Sequence, residues 1–244
     1  PTPESYRGNV SCRGPRACYD ESKRLGETLC YIYHDTYGTP TNTIRPFNVY
    51  GPGMQEADYR VLPNFASCIK GSRTLKVYGT GNQTRTFCYV TDAINGFLRV
   101  VARGVPGEAY NIGNPTPEIS VFELVEEIEK VLGKSIDKEV IEYPDSYPAD
   151  EPNRRCPNIV KARRQLDYNP VITIEDGLKR FFDWTDETYN GEEQQTDMQA
   201  NAGIKLGLVG TGAWGMKYLA AADEASGVTL AHIASPHVAT KTLP

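Results

Sequence analysis

Residues 16–53 read RACYDESKRLGETLCYIYHDTYGTPTNTIRPFNVYGPG. From Arg16 to Tyr37 apolar and aromatic residues recur at helical spacing, and Gly38 with Pro40 supplies a stop signal, so the pattern predicts a helix over 16–37. The stretch 42–53 is rich in β-formers until its glycines and prolines, and reads as a strand running straight into a loop at its carboxyl end. In open parallel sheets, ligands bind outside the carboxyl ends of the strands.

Downstream the alternation repeats: a helix near 61–70, strand LKVYG at 75–79, strand TFCYV at 86–90, a helix over 91–101 and strand AYNIG at 109–113. Ser120 followed by Glu123 makes a capping box ahead of FELVEEIEKVL, and a strand KEVIEY and helices near 159–166 and 174–184 close the region. This is an α/β pattern. Residues 186–203, DETYNGEEQQTDMQANAG, have almost nothing to bury and are expected to be a linker. Beyond them VGTGAWG places Gly210, Gly212 and Gly215 between a strand and a helix, the setting in which a helix N-terminus binds a dinucleotide pyrophosphate. The division expected is therefore a body over 1–185, a linker over 186–203, and the first βαβ portion of a second Rossmann domain over 204–244.

Composition narrows the function. A net charge of -5 supplies no basic field for a phosphate polymer, which argues against a nucleic-acid partner. No run of eighteen apolar residues and no basic n-region with an apolar h-region are found, so no membrane span or signal peptide is expected, and a cytoplasmic location is. The 6 cysteines are scattered without a C-x-x-C pair and are expected to be buried apolar thiols; no metal site is suggested. His34, His232 and His237 belong to no motif and are assigned no role.

Tyr19 and Lys23 are four apart and project from one helical face. A nearby ammonium stabilises phenolate, which would let Tyr19 accept a proton from a sugar hydroxyl as hydride leaves its carbon. As a bare pair, these residues would more often pack and snorkel.

The surroundings decide between the two. GPRACYDESKR, RPFNVYGPGM, RVLPNF, KVYGTGNQTRTFCYV, YNIGNP and DEPNRRCPNI occur in order between Pro1 and Trp184, and together resemble the extended short-chain dehydrogenase/reductases, the NAD-dependent epimerase/dehydratase family, nearest its UDP-glucuronate decarboxylase branch. The resemblance implies a Rossmann-like doubly wound parallel sheet with a smaller C-terminal substrate-binding region. Part of that fold, the glycine-rich cofactor turn and a Thr or Ser with a Glu before the tyrosine helix, is not in the sequence, so a fragment lacking its N-terminal part is expected. Bound NAD would oxidise C4 of UDP-glucuronate while Tyr19 takes the proton. Carbon dioxide would leave the resulting β-keto acid, the enolate left behind would be protonated, and hydride would return to give UDP-xylose and regenerate NAD. A 4-epimerase or 4,6-dehydratase shares the fold and the Tyr/Lys pair, and a chain that only binds a nucleotide-sugar without turnover is a further alternative.

By the same resemblance Tyr19 and Lys23 contact the cofactor, Arg155 faces the reacting end of the sugar, and Asn48, Arg60, Asn64, Tyr78, Gln83, Arg85, Asn111 and Arg155 line the nucleotide-sugar pocket. Arginine suits a diphosphate because its fork matches phosphate geometry. A homodimer with contacts from the Tyr19 helix is implied. The tail resembles the start of the glucose-fructose oxidoreductase and inositol dehydrogenase family, with Trp214 and Lys217 in pattern, but Ser235-Pro236 stands where an acidic residue would bind the ribose hydroxyls of NAD.

Overall fold

The computed structural model describes residues 1–9, 11–13, 17–143 and 152–191, together with the backbone of 204–209 and 228–234. Helix α1 (Ala17–Tyr37) follows the predicted span, and none of its residues is buried. It leads into β1 (Thr43–Pro46) and β2 (Val49–Tyr50).

The remaining elements of the first region are α2 (Val61–Lys70), β3 (Leu75–Tyr78), β4 (Thr84–Arg85), β5 (Cys88–Tyr89), α3 (Val90–Arg103), β6 (Ala109–Ile112), β7 (Ile119–Ser120), α4 (Val121–Leu132), β8 (Lys138–Ile141), β9 (Arg154–Arg155), α5 (Val160–Leu166) and α6 (Ile174–Thr188). Parallel pairing joins β1 to β6, β2 to β5 and β3 to β8; β4 lies between β7, antiparallel, and β9, parallel. Among the described residues the strands thus form short separate sheets with helices against them, an α/β arrangement of mostly parallel pairs rather than one continuous sheet.

Two apolar clusters hold these elements. Leu62 and Phe65 of α2, Leu75 of β3, Leu124 and Ile128 of α4 and Phe181 of α6 form the larger. Val100 of α3, Tyr110 and Ile112 of β6, and Leu166 of α5 belong to the smaller. The capping box at the start of α4 is complete: Ser120 Oγ accepts from Glu123 N at 3.1 Å, and Glu123 Oε2 accepts from Ser120 N at 2.7 Å.

Three expectations are corrected. TFCYV at 86–90 is strand only at Cys88–Tyr89, which pairs with β2: Val90 already begins α3, and Thr86 and Phe87 carry the chain from β4, which lies in a different sheet. Helix α6 runs past Trp184 to Thr188, into the stretch expected to be linker. Burial of Phe182, Thr185 and Tyr189 holds that end, and Tyr189 Oη donates to the Met54 carbonyl at 2.8 Å, tertiary contacts that a polar local composition does not reveal. Of the cysteines, Cys68, Cys88 and Cys156 are buried and Cys30 is half-buried, but Cys12 and Cys18 are exposed, and no described residue beside them belongs to either apolar cluster.

The chain divides into two units, Pro1–Glu193 and Gln194–Pro244. In the second, β10 (Ile204–Val209) pairs in parallel with β11 (Val228–Ala234). Gly210, Gly212 and Gly215 lie outside the described residues, as do Trp214, Lys217 and Ser235-Pro236. Among the described residues no helix is long and apolar enough to cross a membrane.

Candidate active site

The predicted Tyr/Lys pair forms on α1. The Lys23 ammonium lies over the Tyr19 ring, 5.4 Å from its centroid, as the helical i, i+4 spacing requires, and both side chains are exposed. Arg45 of β1 fixes this helix through a fork onto Glu27, Nε to Oε1 at 2.7 Å and Nη2 to Oε2 at 2.6 Å, while its Nη1 donates to the Glu4 carbonyl at 2.9 Å.

At the carboxyl end of β2 the YGPG loop borders a cleft of about 360 Å³, lined in part by Gly51, Pro52, Met54, Asp58 and Arg60. Gly51 adopts φ +151, and a Cβ there would stand 2.5 Å from Val90 Cγ1, so the turn demands glycine. Arg60 is occupied in this loop: its Nε lies 3.0 and 2.8 Å from the two oxygens of Asp58, and its Nη2 also reaches that carboxylate. Asn64, one turn into α2, is half-buried, with its N–H on the Arg60 carbonyl at 3.0 Å.

Asn48 takes a left-handed conformation, φ 41, and its amide Nδ2 donates to the Thr86 carbonyl at 2.7 Å. Thr86 N in turn donates to the Arg155 carbonyl at 3.1 Å. Thr86 therefore links the two predicted ligand positions through its backbone. Its hydroxyl is buried and has no hydrogen-bond partner among the described residues. An orphaned buried hydroxyl costs about 1–3 kcal/mol unless a water or another polar group meets it.

The sheet of β7, β4 and β9 brings the two predicted arginines together. Arg85 and Arg155 are directly opposite across parallel strands, and alternate side chains in a strand face opposite ways. Thr84 and Arg154, the preceding pair, share one face and both bind Glu118: Thr84 Oγ1 donates to Oε1 at 2.7 Å, Arg154 Nε to Oε1 at 2.6 Å and Arg154 Nη2 to Oε2 at 2.7 Å. Arg154 and Thr84 hold the Glu118 carboxyl down at about 2. Arg85 and Arg155 belong to the other face, on which Ile119 enters the core. Like charges directly opposite are unfavourable in a sheet, and their juxtaposition on a half-buried face is suited to a bound polyanion.

Next to them, Gln83 Nε2 donates to the Tyr78 carbonyl at 3.2 Å and to the hydroxyl of Tyr143 at 3.3 Å. The Tyr78 and Tyr143 rings are stacked, 5.9 Å apart and 14° from parallel. Gln83 thus joins Tyr78 and Tyr143, and it stands two residues before Arg85, which is paired with Arg155.

Asn111 does not join them. It is 1% exposed, its N–H donates to Glu4 Oε1, and its amide Nδ2 donates to the carbonyls of Thr2 and Asn158 at 2.9 and 3.1 Å. The side-chain amide ties β6 to the amino-terminal segment at Thr2 and to Asn158 ahead of α5, so Asn111 is a core residue rather than a pocket contact. Burial likewise pushes the Cys88 thiol up to about 11, and the Tyr50 and Tyr168 phenols above their ordinary value, so these groups stay neutral. Sequence reading passed over Thr86, Glu118 and Tyr143, because their importance depends on partners distant along the chain.

Residues 1–113 match the family model described as "NAD dependent epimerase/dehydratase family". The chain is 40% identical over 178 residues to UDP-glucuronic acid decarboxylase 5 of Arabidopsis thaliana, a match covering 73% of this chain and 50% of that protein. Against UDP-glucuronic acid decarboxylase 1 of Xenopus tropicalis the identity is 39% over 180 residues, covering 74% and 41%. Among solved structures it is similar to UDP-glucuronic acid 4-epimerase of Bacillus cereus in complex with NAD, at TM-score 0.66 and 26% identity, covering 78% of this chain and 56% of that one. It is also similar to dTDP-glucose 4,6-dehydratase of Streptomyces venezuelae with NAD bound, at TM-score 0.67 and 26% identity, covering 77% and 55%. The chain therefore spans about half the length of the relatives it matches. Its residues 1–113 belong to the NAD dependent epimerase/dehydratase family.

Proposed function

We propose that residues 1–193 form the nucleotide-sugar side of an NAD-dependent UDP-glucuronate decarboxylase. The observation that carries the reading is Arg85 opposite Arg155 on one face of the β4/β9 pair, a two-cation ledge for a diphosphate, with Tyr78 and Gln83 beside it. The Arabidopsis and Xenopus relatives are decarboxylases by name, which favours that chemistry over its neighbours.

Tyr19 and Lys23 fit the nicotinamide ribose end of NAD: a phenol and an ammonium share one accessible helical face. The cofactor, when bound, supplies reversible hydride acceptance. The chain's own residues do the rest. Tyr19 takes the C4 hydroxyl proton and later returns it, Lys23 favours the phenolate, and Arg85 and Arg155 hold the diphosphate and the sugar end. Oxidation at C4 places a ketone β to the C5 carboxylate, and loss of carbon dioxide is then eased by delocalisation of the remaining electron pair into the ketone.

Exposure of Leu25, Leu29 and Ile32 on α1, spaced i, i+4 and i+7, supports a homodimer through that helix. The β10–β11 pair and the glycines after β10 support a second dinucleotide-binding domain in the same polypeptide.

The full-length polypeptide incubated with UDP-glucuronate and NAD should release carbon dioxide, and Tyr19→Phe should abolish release. Turnover of a neutral UDP- or dTDP-hexose without release would move the assignment to the 4-epimerase or 4,6-dehydratase branch, which the Bacillus and Streptomyces structures represent.

A further inference from the structure

The loop between β2 and α2 carries the cleft, and its Gln55, Asp58 and Arg60 all line it. Glu56, between Gln55 and Asp58, is bonded elsewhere. Its Oε1 accepts from Ser67 Oγ of α2 at 3.1 Å and from Gly191 N at 2.7 Å, and its Oε2 accepts from Asn190 N at 2.9 Å. Two backbone donors and a hydroxyl converge on this half-buried carboxylate, so its charge is answered by the chain itself rather than by a ligand.

The residues it holds form a strap across the loop. Tyr189 Oη donates to the Met54 carbonyl at 2.8 Å, so Tyr189, Asn190 and Gly191 all bond the same few residues. Burial first, and then the carboxylates of Glu56 and Asp58, push the Tyr189 phenol up to about 12, which keeps it a donor. Gly191, at φ +73, passes backbone to backbone against Gly71 at the end of α2, and a Cβ on it would stand 2.6 Å from Gly71 N, so the approach demands glycine. Lys70 fastens the start of the strap, its Nζ donating to the Asp186 carbonyl at 2.6 Å and to Asp186 Oδ1 at 2.8 Å.

Bonds inside the loop are short in range: Asp58 N donates to the Gln55 carbonyl at 3.0 Å, and Arg60 N to Asp58 Oδ1 at 2.9 Å. They set Asp58 against Arg60, whose Nε and Nη2 lie on that carboxylate, but they do not tie the middle of the loop to the body. Glu56 does. We propose that Glu56 is a positioning residue for the cleft: by gripping the strap at 190 and 191 it seats Asp58, which in turn aims the Arg60 guanidinium at an anionic ligand. The proposal rests on the nucleotide-sugar reading and adds to it a residue that touches neither ligand nor cofactor.

The test combines a double-mutant cycle with hydrogen exchange in the full-length polypeptide. Glu56→Ala should weaken UDP-glucuronate, titrated calorimetrically, by roughly 10-fold, and should speed exchange over residues 51–60 in the ligand-free protein while α4 exchanges as in the parent. In an Arg60→Ala background the same substitution should change affinity by less than about twofold, because the group through which it acts is gone. Tyr189→Phe, which removes one bond of the strap and keeps the ring, should move both readouts the same way by roughly two- to threefold, and takes the place of Glu56→Ala if thermal melting shows that variant to be unfolded. Unchanged exchange over 51–60 would overturn the proposal, and so would faster exchange with parent-like affinity, which would show that the strap only stabilises. An equal loss in both backgrounds would overturn it as well, since the effect would not pass through Arg60. The nucleotide-sugar reading would stand in each of these cases, whereas a parent that does not bind UDP-glucuronate would sink both.

Discussion

Arg154 grips Glu118 from a strand 36 residues away, Nε to Oε1 at 2.6 Å and Nη2 to Oε2 at 2.7 Å, and by doing so leaves Arg155 to face Arg85 on the opposite side of the sheet. The carboxylate also takes the Thr84 hydroxyl, so it joins β4 and β9 across one face while the other is given to the arginine ledge.

Acid should loosen that join. The Glu118 carboxyl is lowered from an ordinary 4.5 to about 2 by Arg154 first and Thr84 second, so its folded form is the charged one. A lowered folded value means that the stabilisation is present above the unfolded value near 4.5 and is lost as the pH falls through the folded value near 2. Carbon-detected NMR titration of the Glu118 carboxyl should give a midpoint well below that of exposed glutamates. Glu118→Gln should flatten the fall in melting temperature over this window and weaken UDP binding by displacing Arg155. A Glu118 midpoint at the ordinary value would contradict this.

Thr86→Val is expected to stabilise the ligand-free protein. The substitution keeps the shape and removes a buried hydroxyl that has no partner among the described residues, a gain of about 1 kcal/mol, or a few degrees in melting temperature. UDP-sugar affinity should move the other way if the hydroxyl serves the ligand. A drop in melting temperature would show that the hydroxyl is satisfied in solution.

Gly96→Ala should destabilise, against the usual preference of helices for alanine, which favours the substitution by roughly 0.5–1 kcal/mol. A Cβ at Gly96 in α3 would stand 2.6 Å from Ile112 Cγ2 and 2.9 Å from Tyr168 Cε2, both fully buried side chains with nowhere to move. Overpacking of this kind costs about 1–3 kcal/mol and outweighs the propensity gain. Denaturant unfolding measures the sign directly.

Ser120→Ala should cost about 1 kcal/mol, because it removes the acceptor for Glu123 N and half of the reciprocal cap on α4. Hydrogen exchange should show the loss confined first to the amino-terminal turn of α4. Uniform loss of protection through the larger core would mean that the cap is holding more than its helix.

Glu27→Ala should free α1 rather than unfold the protein. Glu27 is the fork that binds Arg45, both side chains are about a third exposed, and α1 buries none of its own residues. The expected outcome is faster exchange in α1 with a modest change in melting temperature, roughly 1 kcal/mol, and a larger loss of turnover than of UDP affinity. Equal loss of both would place the arginine ledge under the control of the same pair.

What the sequence determined by itself is what depends on short spacing. Tyr19 and Lys23 share a face because α-helical geometry puts residues four apart on one side, and the capping box is read from Ser120 and Glu123 because both partners fall within one turn. The helices at 61–70 and 174–184 were legible from apolar periodicity, and the order of motifs carried the family. What only the tertiary structure decided is what depends on pairing between distant strands. Arg85 meets Arg155 because β4 pairs with β9; Tyr143 meets Tyr78 because β3 pairs with β8; Asn111 is drawn into the core because the amino-terminal residues fold over β6. The end of α6 is fixed in the same way, by Tyr189 reaching Met54 through a contact that no local composition encodes. Local propensity sets which residues form a helix or strand, but strand register across tens of residues sets which of them share a site.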